Sequence, residues 1–395
     1  MAVVITTEQV RLADYTTLRL GGPAERFVDA GSEDELIAAV RAADAETEPV
    51  LVLGGGSNLV VADEGFPGLV VLAGERGARF ARDGDGDAVD VTVAAGHDWD
   101  EFVQGCLAEG LSGVECLSGI PGRAGATPIQ NVNAYGQDVA DTISRVRVYD
   151  RLSDQVVQIA AADCAFGYRT SMFKRQAASA GRGGALNAAA ATGRFVILAV
   201  TFRLPSSSLS APVRYGELSR VLGVSEGDRV PAIAAREAVL ELRRGKGMVL
   251  SQADPDTRSA GSFFTNPVVS AAEYEELVAR LAAGNGRNSL GPGAGGPGSS
   301  GAVPGPAVPH WPAADGEVKL SAAWLIEQAG FSKGWQLPGD PGGARISTKH
   351  ALALTNPGHA STASLIRLAR EIKAGVLARF GVVLANEPVL VGVEL

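Results

Sequence analysis

The chain has 395 residues, of which 46% are hydrophobic and 20% are charged. This composition excludes a fibrous or generally disordered protein, and the length suits two or three domains. The net charge of −9 argues against nucleic acid as a partner, because a phosphate backbone needs a basic protein surface. The start of the chain shows no signal peptide and no apolar run reaches about 18 residues, so we expect a cytoplasmic protein without a membrane partner.

The sequence pattern mixes helices and strands along the whole chain. Ser32 and Glu35 form a capping box that marks the start of a helix, and a strand over 50–53 follows this helix. Alternating or continuous apolar runs predict further strands over 89–93 and 195–204. Apolar residues recur at helical spacing over 365–376, in a segment that closes at Gly381. The predicted fold class is therefore α+β, with a domain boundary in the polar linker 205–210.

Two tracts are unusually rich in glycine. Residues 177–193 are rich in Ala and Gly, and residues 283–309 are rich in Gly, Pro and Ser. Neither tract has apolar periodicity, so both are predicted to be exposed, mobile insertions. The second tract contains a GxGxxG pattern from Gly293 to Gly298, but no predicted strand precedes it and no predicted helix follows it. We therefore reject a dinucleotide-binding fingerprint there.

The cysteines and histidines do not predict a metal site. Three cysteines are too few and too scattered for a disulfide framework or a structural zinc site, and they are interpreted as reduced core residues. Four histidines show no metal-ligand spacing, so each is interpreted as a surface or structural residue: His97, His310, His350 and His359.

Two glycine-rich segments are candidates for binding a phosphate group. The turn after the strand 50–53 offers backbone N–H groups and two polar side chains, from Gly54, Gly55, Gly56, Ser57 and Asn58. The second segment, 120–136, is stiffened by two prolines and offers Gly125, Thr127, Gln130 and Asn131. The alternatives are a structural glycine turn in the first case and a polar surface loop in the second.

Several cations are candidates for binding an anionic ligand. Arg169 lies among aromatic residues in GYRTSMFK, where it is expected to be partly buried and to fit a carboxylate with its planar fork. Tyr215, Arg243 and Lys246 are predicted to hold a nucleotide diphosphate or the phosphates of a cofactor. Solvated helix charges are the alternative interpretation of the two cations.

The run GSFFTNP over 261–267 places Ser262 between a flexible glycine and two bulky aromatic residues. Phe263 and Phe264 are predicted to bury apolar surface and to exclude water, so that the hydroxyl group is held in place and partly dried. Glu387 lies between two apolar segments near the end of the chain. It is either a surface residue at a strand end or a buried acid with a raised pKa.

These motifs, in this order along the chain, resemble the UDP-N-acetylenolpyruvoylglucosamine reductase family. The resemblance covers most of the chain apart from the two glycine-rich tracts. It implies a two-lobed FAD-binding domain of the vanillyl-alcohol-oxidase (PCMH) type over 1–205, with lobes of about 1–72 and 73–205. An α+β substrate-binding domain over 206–395 would follow, with an insertion at about 283–309. The implied cofactor is non-covalent FAD with NADPH as reductant, although some related flavoproteins attach flavin through a histidine, which draws attention to His97.

The resemblance also implies a reaction and roles for residues. The family reduces a UDP-sugar enolpyruvyl substrate in peptidoglycan synthesis, and so serves cell wall biogenesis, cell shape and cell division. Ser262 matches the proton donor to C2 of the enolpyruvyl group, and Arg169 and Glu387 match the residues that stabilise the enol-like intermediate. The cofactor contacts would come from the two glycine-rich segments, and the substrate contacts from Tyr215, Arg243, Lys246, Asn266 and Gln328.

The sequence departs from the family pattern at two positions and leaves two rival functions open. Arg123 and Asn133 stand where small residues or glycine are usual, which bears on how the flavin fits. A different flavin enzyme of the same fold, oxidising an alcohol or lactone with oxygen, would have no evident use for Ser262 and Glu387. A non-catalytic flavin- or nucleotide-binding paralogue would be expected to lose one of the three catalytic candidates. We expect a monomer.

Overall fold

The computed structural model describes residues 6–82, 87–179, 192–284 and 308–395. The strands are β1 (Thr7–Arg11), β2 (Pro23–Ala30), β3 (Val50–Leu53), β4 (Leu59–Val61), β5 (Phe66–Ala73), β6 (Ala78–Ala81), β7 (Ala88–Ala94), β8 (Asn133–Ala134), β9 (Gln137–Asp138), β10 (Ile143–Asp150), β11 (Gln155–Ala160), β12 (Phe195–Pro205), β13 (Val268–Val269), β14 (His310–Pro312), β15 (Val318–Leu320), β16 (Arg345–Ile346), β17 (Leu354–Thr355) and β18 (Val389–Val391). The helices are α1 (Glu33–Ala45), α2 (Trp99–Ala108), α3 (Met172–Ser179), α4 (Gly216–Leu222), α5 (Ala232–Gly245), α6 (Ala271–Gly284), α7 (Ala322–Gln328) and α8 (Thr362–Phe380).

The predicted strands and helices are present at the predicted places. β3, β7 and β12 contain the three predicted strands, and α1 and α8 are the two predicted helices. Most of each glycine-rich tract, including the whole of the rejected GxGxxG pattern, lies outside the described residues, and the interpretation of both tracts as mobile insertions stays a prediction. In the described ranges, no helix combines the length and apolarity needed to cross a bilayer.

A four-stranded sheet in the order β1-β2-β5-β3 is built from the start of the chain. β1 pairs antiparallel with β2, whereas β5 pairs parallel with both β2 and β3. Helix α1 covers one face of this sheet, where Leu36 and Val40 pack against Val28 and Val71. The capping prediction is confirmed at the start of α1: Ser32 Oγ accepts from the backbone N–H of Glu35 at 3.3 Å.

A five-stranded antiparallel sheet in the order β11-β10-β12-β7-β6 follows. Helix α2 packs against it through three aromatic side chains, with the rings of Phe102 and Phe202 5.1 Å apart and Trp99 within 6 Å of both. Cys106 and Cys164 are buried in the same core, and burial raises the pKa of the two thiols to about 12 and about 11. The prediction that the cysteines are unpaired core residues is confirmed.

Contacts divide the chain into two compact units, the first ending at Ala260 and also containing residues 389–394, and the second spanning 261–388 together with Leu395. This division differs from the boundary predicted at 205–210. The polar linker there is held to the first unit, because Ser206 N donates to Asp87 O at 2.8 Å and Ser207 N donates to Gly110 O at 2.9 Å. Strand β18 also belongs to the first unit, where it pairs parallel with β4.

Helices α4 and α5 belong to the first unit because they pack on the loop that follows α2. Leu218 of α4 and Val239 of α5 share a buried cluster with Cys116 and Val213. Glu115 is fully buried in the same region, and its carboxylate accepts from the backbone N–H of Ala211 at 2.6 Å. These contacts bring the segment around 211–215 against the loop over 115–137.

The second unit combines helices α6, α7 and α8 with a three-stranded sheet in the order β13-β15-β14 and a β16-β17 pair. Helix α8 is amphipathic, and Leu365, Ile372 and Val376 on its apolar face are fully buried. It ends at Gly381, whose φ of 73° is the left-handed conformation that favours glycine after a helix. The predicted end of this helix is therefore confirmed.

Candidate active site

The first glycine-rich loop, Gly54–Asn58, leaves the buried strand β3 and lies against the second glycine-rich segment. A Cβ atom at Gly55 would lie 2.6 Å from the Cα atom of Gly122. Gly56 has φ 58°, and a Cβ atom there would collide with the carbonyl oxygen of Tyr15. Only glycine allows these backbones to approach so closely, so the loop has a packing role as well as any role in binding.

The same loop presents backbone N–H groups that make no hydrogen bond with the described part of the chain. Within the described ranges, no protein oxygen accepts a hydrogen bond from the N–H groups of Gly55, Gly56 or Ser57. Successive unused N–H donors in a tight turn form a concave site for an anion. A pyrophosphate group fits this donor set, because its oxygens accept hydrogen bonds and carry negative charge.

The second glycine-rich segment is held by its own hydrogen bonds. Gly125 N donates to Ala95 O at 2.9 Å, and the buried Thr127 hydroxyl donates to Ala124 O at 2.8 Å. Arg123, which stands where a small residue is usual in the resembled family, turns its guanidinium to Gly96 O at 2.5 Å. Burial lowers the pKa of Arg123. The position of this side chain is therefore set by a backbone carbonyl of the protein.

Gln130 and Asn131 connect this segment to the arginine motif. The buried Asn131 amide donates to Gly167 O at 3.1 Å and accepts from Ala140 N at 3.2 Å. Lys174 donates to both Gln130 Oε1 at 2.9 Å and the carbonyl oxygen of Arg169 at 3.2 Å. Two motifs that are separate in the sequence are thus one hydrogen-bonded structure.

Arg169 lies in a tight turn between two residues that pair with each other. Gly167 N donates to Thr170 O at 3.0 Å, and Thr170 N donates to Gly167 O at 3.2 Å. Arg169 is half-buried and has φ 52°, a left-handed conformation that costs a non-glycine residue about 1–3 kcal/mol. The neighbouring hydrogen bonds maintain this strain and fix the direction in which the arginine side chain leaves the backbone.

The three first-unit residues predicted to bind substrate lie in one cluster, which also contains Tyr135 and Glu217. The rings of Tyr135 and Tyr215 meet edge to face at 5.4 Å, and Lys246 Nζ lies 5.6 Å from the centroid of the Tyr135 ring. Lys246 also forms an ion pair with Glu217 at 2.5 Å. We call this set the tyrosine–cation cluster, with the members Tyr135, Tyr215, Glu217, Arg243 and Lys246.

Arg243 is the second cation of this cluster, and it is partly buried. Its Nη2 atom donates to Gly119 O at 3.3 Å and to Met248 O at 2.9 Å. Its Nε atom is buried and has no hydrogen-bond partner among the described residues. Burial lowers the pKa of Arg243 to about 10, against the opposing effects of Tyr135 and Asp100. A guanidinium whose buried Nε–H group lacks a partner in the described part of the chain favours an anionic ligand close by.

Tyr135 and Glu217 were not singled out by the sequence analysis. Tyr135 lies inside the glycine-rich segment 120–136, but its sequence neighbours do not indicate that its ring contacts Tyr215. Burial raises the pKa of the Tyr135 hydroxyl to about 12, so this group stays protonated at neutral pH. The contacts of these residues form only when the loop over 115–137 packs against helices α4 and α5, so no local sequence pattern could have indicated them.

In the second unit, the segment that carries Ser262 pairs with the segment that carries Glu387. Phe264 and Asn386 form an antiparallel bridge, and Glu387 N donates to Phe263 O at 2.9 Å. Phe263 and Phe264 are each only 1% exposed, as the sequence predicted. Ser262 and Glu387 therefore lie on paired segments, and the serine directly precedes two buried aromatic rings.

His350 is the partner of Ser262 that sequence reasoning missed. Its Nε2 atom lies 3.4 Å from Ser262 Oγ, although 88 residues separate the two in the chain. The interpretation of His350 as a surface or structural residue does not account for this contact. His97 fits that interpretation, because its Nδ1 atom accepts a hydrogen bond from Gly77 N at 3.2 Å.

The remaining two predicted substrate residues are not brought together. Asn266 Oδ1 accepts from the backbone N–H of Ala322 at 3.0 Å, at the first residue of α7. Gln328 is the last residue of the same helix, roughly 9 Å further along its axis at 1.5 Å per residue. Of the three catalytic candidates, Arg169 belongs to the first unit, and Ser262 and Glu387 belong to the second.

Comparison with known proteins identifies the class of protein that this fold and site define. The FAD binding domain model matches residues 24–158, and the model of the C-terminal domain of UDP-N-acetylenolpyruvoylglucosamine reductase matches residues 254–391. The protein is an FAD-dependent oxidoreductase with an α+β fold, whose first part is an FAD-binding domain of the predicted PCMH type.

Full-length relatives identify the family. The UDP-N-acetylenolpyruvoylglucosamine reductase of Thermobifida fusca is 54% identical and covers 98% of both chains. That of Salinispora arenicola is 53% identical and covers 98% of this chain and 96% of its own. The crystal structure of the reductase from Thermus caldophilus shares the fold, with a TM-score of 0.58, 24% identity and coverage of 98% and 99%. This chain belongs to the UDP-N-acetylenolpyruvoylglucosamine reductase family, and the resemblance in its motifs is confirmed.

Proposed function

We propose that this protein reduces UDP-N-acetylglucosamine enolpyruvate to UDP-N-acetylmuramate with NADPH, through non-covalently bound FAD, in peptidoglycan precursor synthesis. The observation that carries the proposal is the second-unit site, where Ser262 and Glu387 lie on paired segments beside two buried aromatic rings. We place the reaction in the cytoplasm and expect the protein to act as a monomer. Cell wall biogenesis, cell shape and cell division would depend on it.

FAD is proposed to bind to the two glycine-rich segments over 54–58 and 120–136. The loop Gly54–Asn58 supplies N–H donors to the pyrophosphate, and Gly125, Thr127, Gln130 and Asn131 line the cofactor from the second segment. Among the described residues, the Asn131 side chain binds through its oxygen and one amide hydrogen, which leaves its second amide hydrogen for a ligand. When bound there, FAD would supply hydride-transfer chemistry between NADPH and C3 of the enolpyruvyl group.

Ser262 is proposed to donate the proton that C2 of the substrate takes up. A serine hydroxyl is a weak acid, but the acceptor carbon is strongly basic once C3 has been reduced. The 1% exposure of Phe263 and Phe264 keeps water away from the backbone beside the hydroxyl. Ser262 can therefore act as the proton donor if its O–H group is held close to C2 of the substrate.

Arg169 and Glu387 are proposed to stabilise the enol-like intermediate. Charge accumulates toward the substrate carboxylate, and the guanidinium of Arg169 offers parallel N–H donors that fit a carboxylate. The strained turn around Arg169 supports this role, because such strain persists where the surrounding hydrogen bonds over-determine a side-chain direction.

The tyrosine–cation cluster is proposed to bind the UDP part of the substrate. Tyr215, Arg243 and Lys246 offer an aromatic face and two cations to a diphosphate, and Asn266 and Gln328 are proposed as further substrate contacts. The functional division into an FAD part over 1–205 and a substrate part over 206–395 is retained in this proposal. Residues 206–260 would then bind substrate although they are compactly joined to the first unit.

Two half-reactions followed separately test the proposed function. The purified yellow protein is mixed without oxygen with NADPH, and we expect the flavin absorbance to bleach. Addition of UDP-N-acetylglucosamine enolpyruvate should then restore the absorbance and yield UDP-N-acetylmuramate, and acid precipitation should release the flavin. Restoration by oxygen but not by the enolpyruvyl compound would indicate an oxidase, and no bleaching with NADPH would indicate a binding protein.

A further inference from the structure

The contact between Ser262 and His350 suggests how the serine hydroxyl is enabled to donate a proton. Ser262 Oγ and His350 Nε2 are 3.4 Å apart, which is long for a hydrogen bond. Catalytic hydrogen bonds are often long until the substrate binds. In the direction that the proposed function needs, the hydroxyl hydrogen points at the substrate carbon, and the lone pairs of the oxygen can accept a hydrogen bond from another donor.

Backbone hydrogen bonds hold His350 at this position. His350 N donates to the hydroxyl of the fully buried Ser347 at 3.3 Å, and Ala353 N donates to His350 O at 3.1 Å. Leu352 O accepts from Phe263 N, the residue after Ser262, at 2.7 Å. The turn that carries the imidazole is thus tied to the segment that carries the hydroxyl, independently of the contact between the two side chains.

We propose that His350 is a positioning residue for Ser262, an inference that rests on the proposed function. Nε2–H donates to Oγ, which directs the serine O–H bond away from the imidazole and toward C2 of the substrate. A hydrogen bond to the alkoxide form favours that form and makes the hydroxyl a stronger acid. The same imidazole returns a proton to the serine after each turnover.

The proton passes from Ser262 to the substrate and is then replaced from His350. The new C–H bond at C2 forms as the Ser262 O–H bond breaks, and its electron pair stays on Oγ. The N–H bond of protonated His350 then breaks and the O–H bond forms again, which leaves neutral imidazole to take a proton from solvent. Histidine suits this task because its charge changes between about pH 5 and pH 8. Charged residues on the segments that carry the pair include Lys349, which precedes His350, and Glu387, whose backbone N–H donates to Phe263 O.

The test uses His350→Gln and His350→Phe, with His359→Gln as a control at an exposed histidine. We expect all three variants to bind FAD and to be reduced by NADPH at rates within about twofold of the original protein. Reoxidation by the enolpyruvyl substrate should be slowed about 10- to 100-fold in His350→Phe, which is less than the roughly 10²- to 10⁴-fold typical of a group that itself transfers the proton to substrate. His350→Gln keeps an N–H donor, so it should regain part of the rate but lose the pH dependence of reoxidation between about pH 5 and pH 8.

A spectroscopic measurement gives a second, independent test. In protein labelled with ¹⁵N-histidine, the Nε2 signal of His350 should shift in Ser262→Ala, whereas the signal of His359 should not. Reoxidation rates and a pH profile in His350→Gln that match those of the original protein would overturn the inference, as would an unchanged Nε2 signal. If His350→Phe fails to fold, His350→Gln and the ¹⁵N signal decide the matter. Failure of the original protein to be reoxidised by the enolpyruvyl substrate would instead overturn the proposed function.

Discussion

The tyrosine–cation cluster of the first unit and the serine site of the second unit are organised in different ways. In the cluster, Lys246 contacts the carboxylate of Glu217 and the ring of Tyr135, and Arg243 donates to two backbone carbonyls. In the serine site, backbone hydrogen bonds of the neighbouring Phe263 fix the position of a single hydroxyl, that of Ser262. Fixed cations attract an anion similarly in the ground and transition states, whereas one acidic hydrogen matters in one chemical step. Changes in the cluster should therefore alter binding, and changes in the serine site should alter a rate.

The largest expected effect is that of Ser262→Ala on the second half-reaction. Reduction of FAD by NADPH needs no proton at C2 and should be almost unchanged, whereas reoxidation by the enolpyruvyl substrate should slow by about 10² to 10⁴-fold. Rapid mixing of each half-reaction measures this asymmetry. Ser262→Cys should recover part of the rate, because it keeps an acidic hydrogen of similar reach. Equal slowing of both half-reactions would remove the contrast between the two sites.

A smaller effect is expected for Gly55→Ala in the first unit. The new Cβ atom would lie 2.6 Å from the Cα atom of Gly122 and would force the two glycine-rich segments apart. An overpacked site costs about 1–3 kcal/mol, so we expect FAD affinity to fall by about 10- to 100-fold. The flavin-to-protein ratio after dialysis measures the loss. Gly105→Ala, where a Cβ atom meets nothing within 4 Å, is the matched control and should retain flavin.

Lys246→Ala tests the binding side of the comparison. Loss of the cation also leaves the Glu217 carboxylate uncompensated near the ligand, so we expect the apparent affinity for the UDP-sugar substrate to weaken by about tenfold. The reoxidation rate at saturating substrate should change by less than about twofold. Lys333→Ala, at an exposed lysine of the second unit, should leave both quantities unchanged. A lower saturated rate with an unaltered affinity would show that the cluster acts on chemistry.

The smallest expected effect concerns stability at acidic pH. Hydrogen bonds from Arg194 lower the pKa of Asp150 to about 2 in the folded protein, below the ordinary value of about 3.9 in an unfolded chain. This pair stabilises the folded state above about pH 4, and its contribution is lost as the pH falls toward 2. Urea unfolding between pH 5 and pH 2.5 measures this contribution. The free energy of unfolding of Asp150→Asn should be about 1 kcal/mol lower than that of the original protein at pH 5, and it should fall less as the pH is lowered. Asp87→Asn, at an exposed aspartate, should follow the original protein throughout.

The local elements were predictable because their signals lie within a few residues of one another. The capping box at Ser32, the apolar strands and the helix that ends at Gly381 are each defined by short-range periodicity and by preferred end residues. The burial of Phe263 and Phe264 also follows from the apolar character of the rings. The glycine turn at 54–58 was predictable as a turn, and its direct contact with Gly122 was not.

The functional groupings depend on contacts between distant segments. Gln130 and Lys174 are 44 residues apart, and Ser262 and His350 are 88 residues apart. Residues at such separations meet only after strands and helices have packed, so no spacing rule connects them. The linker at 205–210 shows the same limit: its polar composition predicts a loop, whereas its hydrogen bonds to Asp87 and Gly110 are tertiary.

The amino-acid sequence by itself determined the α+β class, the helix and strand positions that were predicted, the family resemblance and the chemical types of the candidate residues, because these follow from local patterns. Only the tertiary structure decided that Tyr135 joins Tyr215 and Lys246, that His350 faces Ser262 and that β18 returns to pair with β4. Side-chain contacts and strand pairing between remote segments depend on how the whole chain buries its apolar surface, and that burial is a property of the folded molecule.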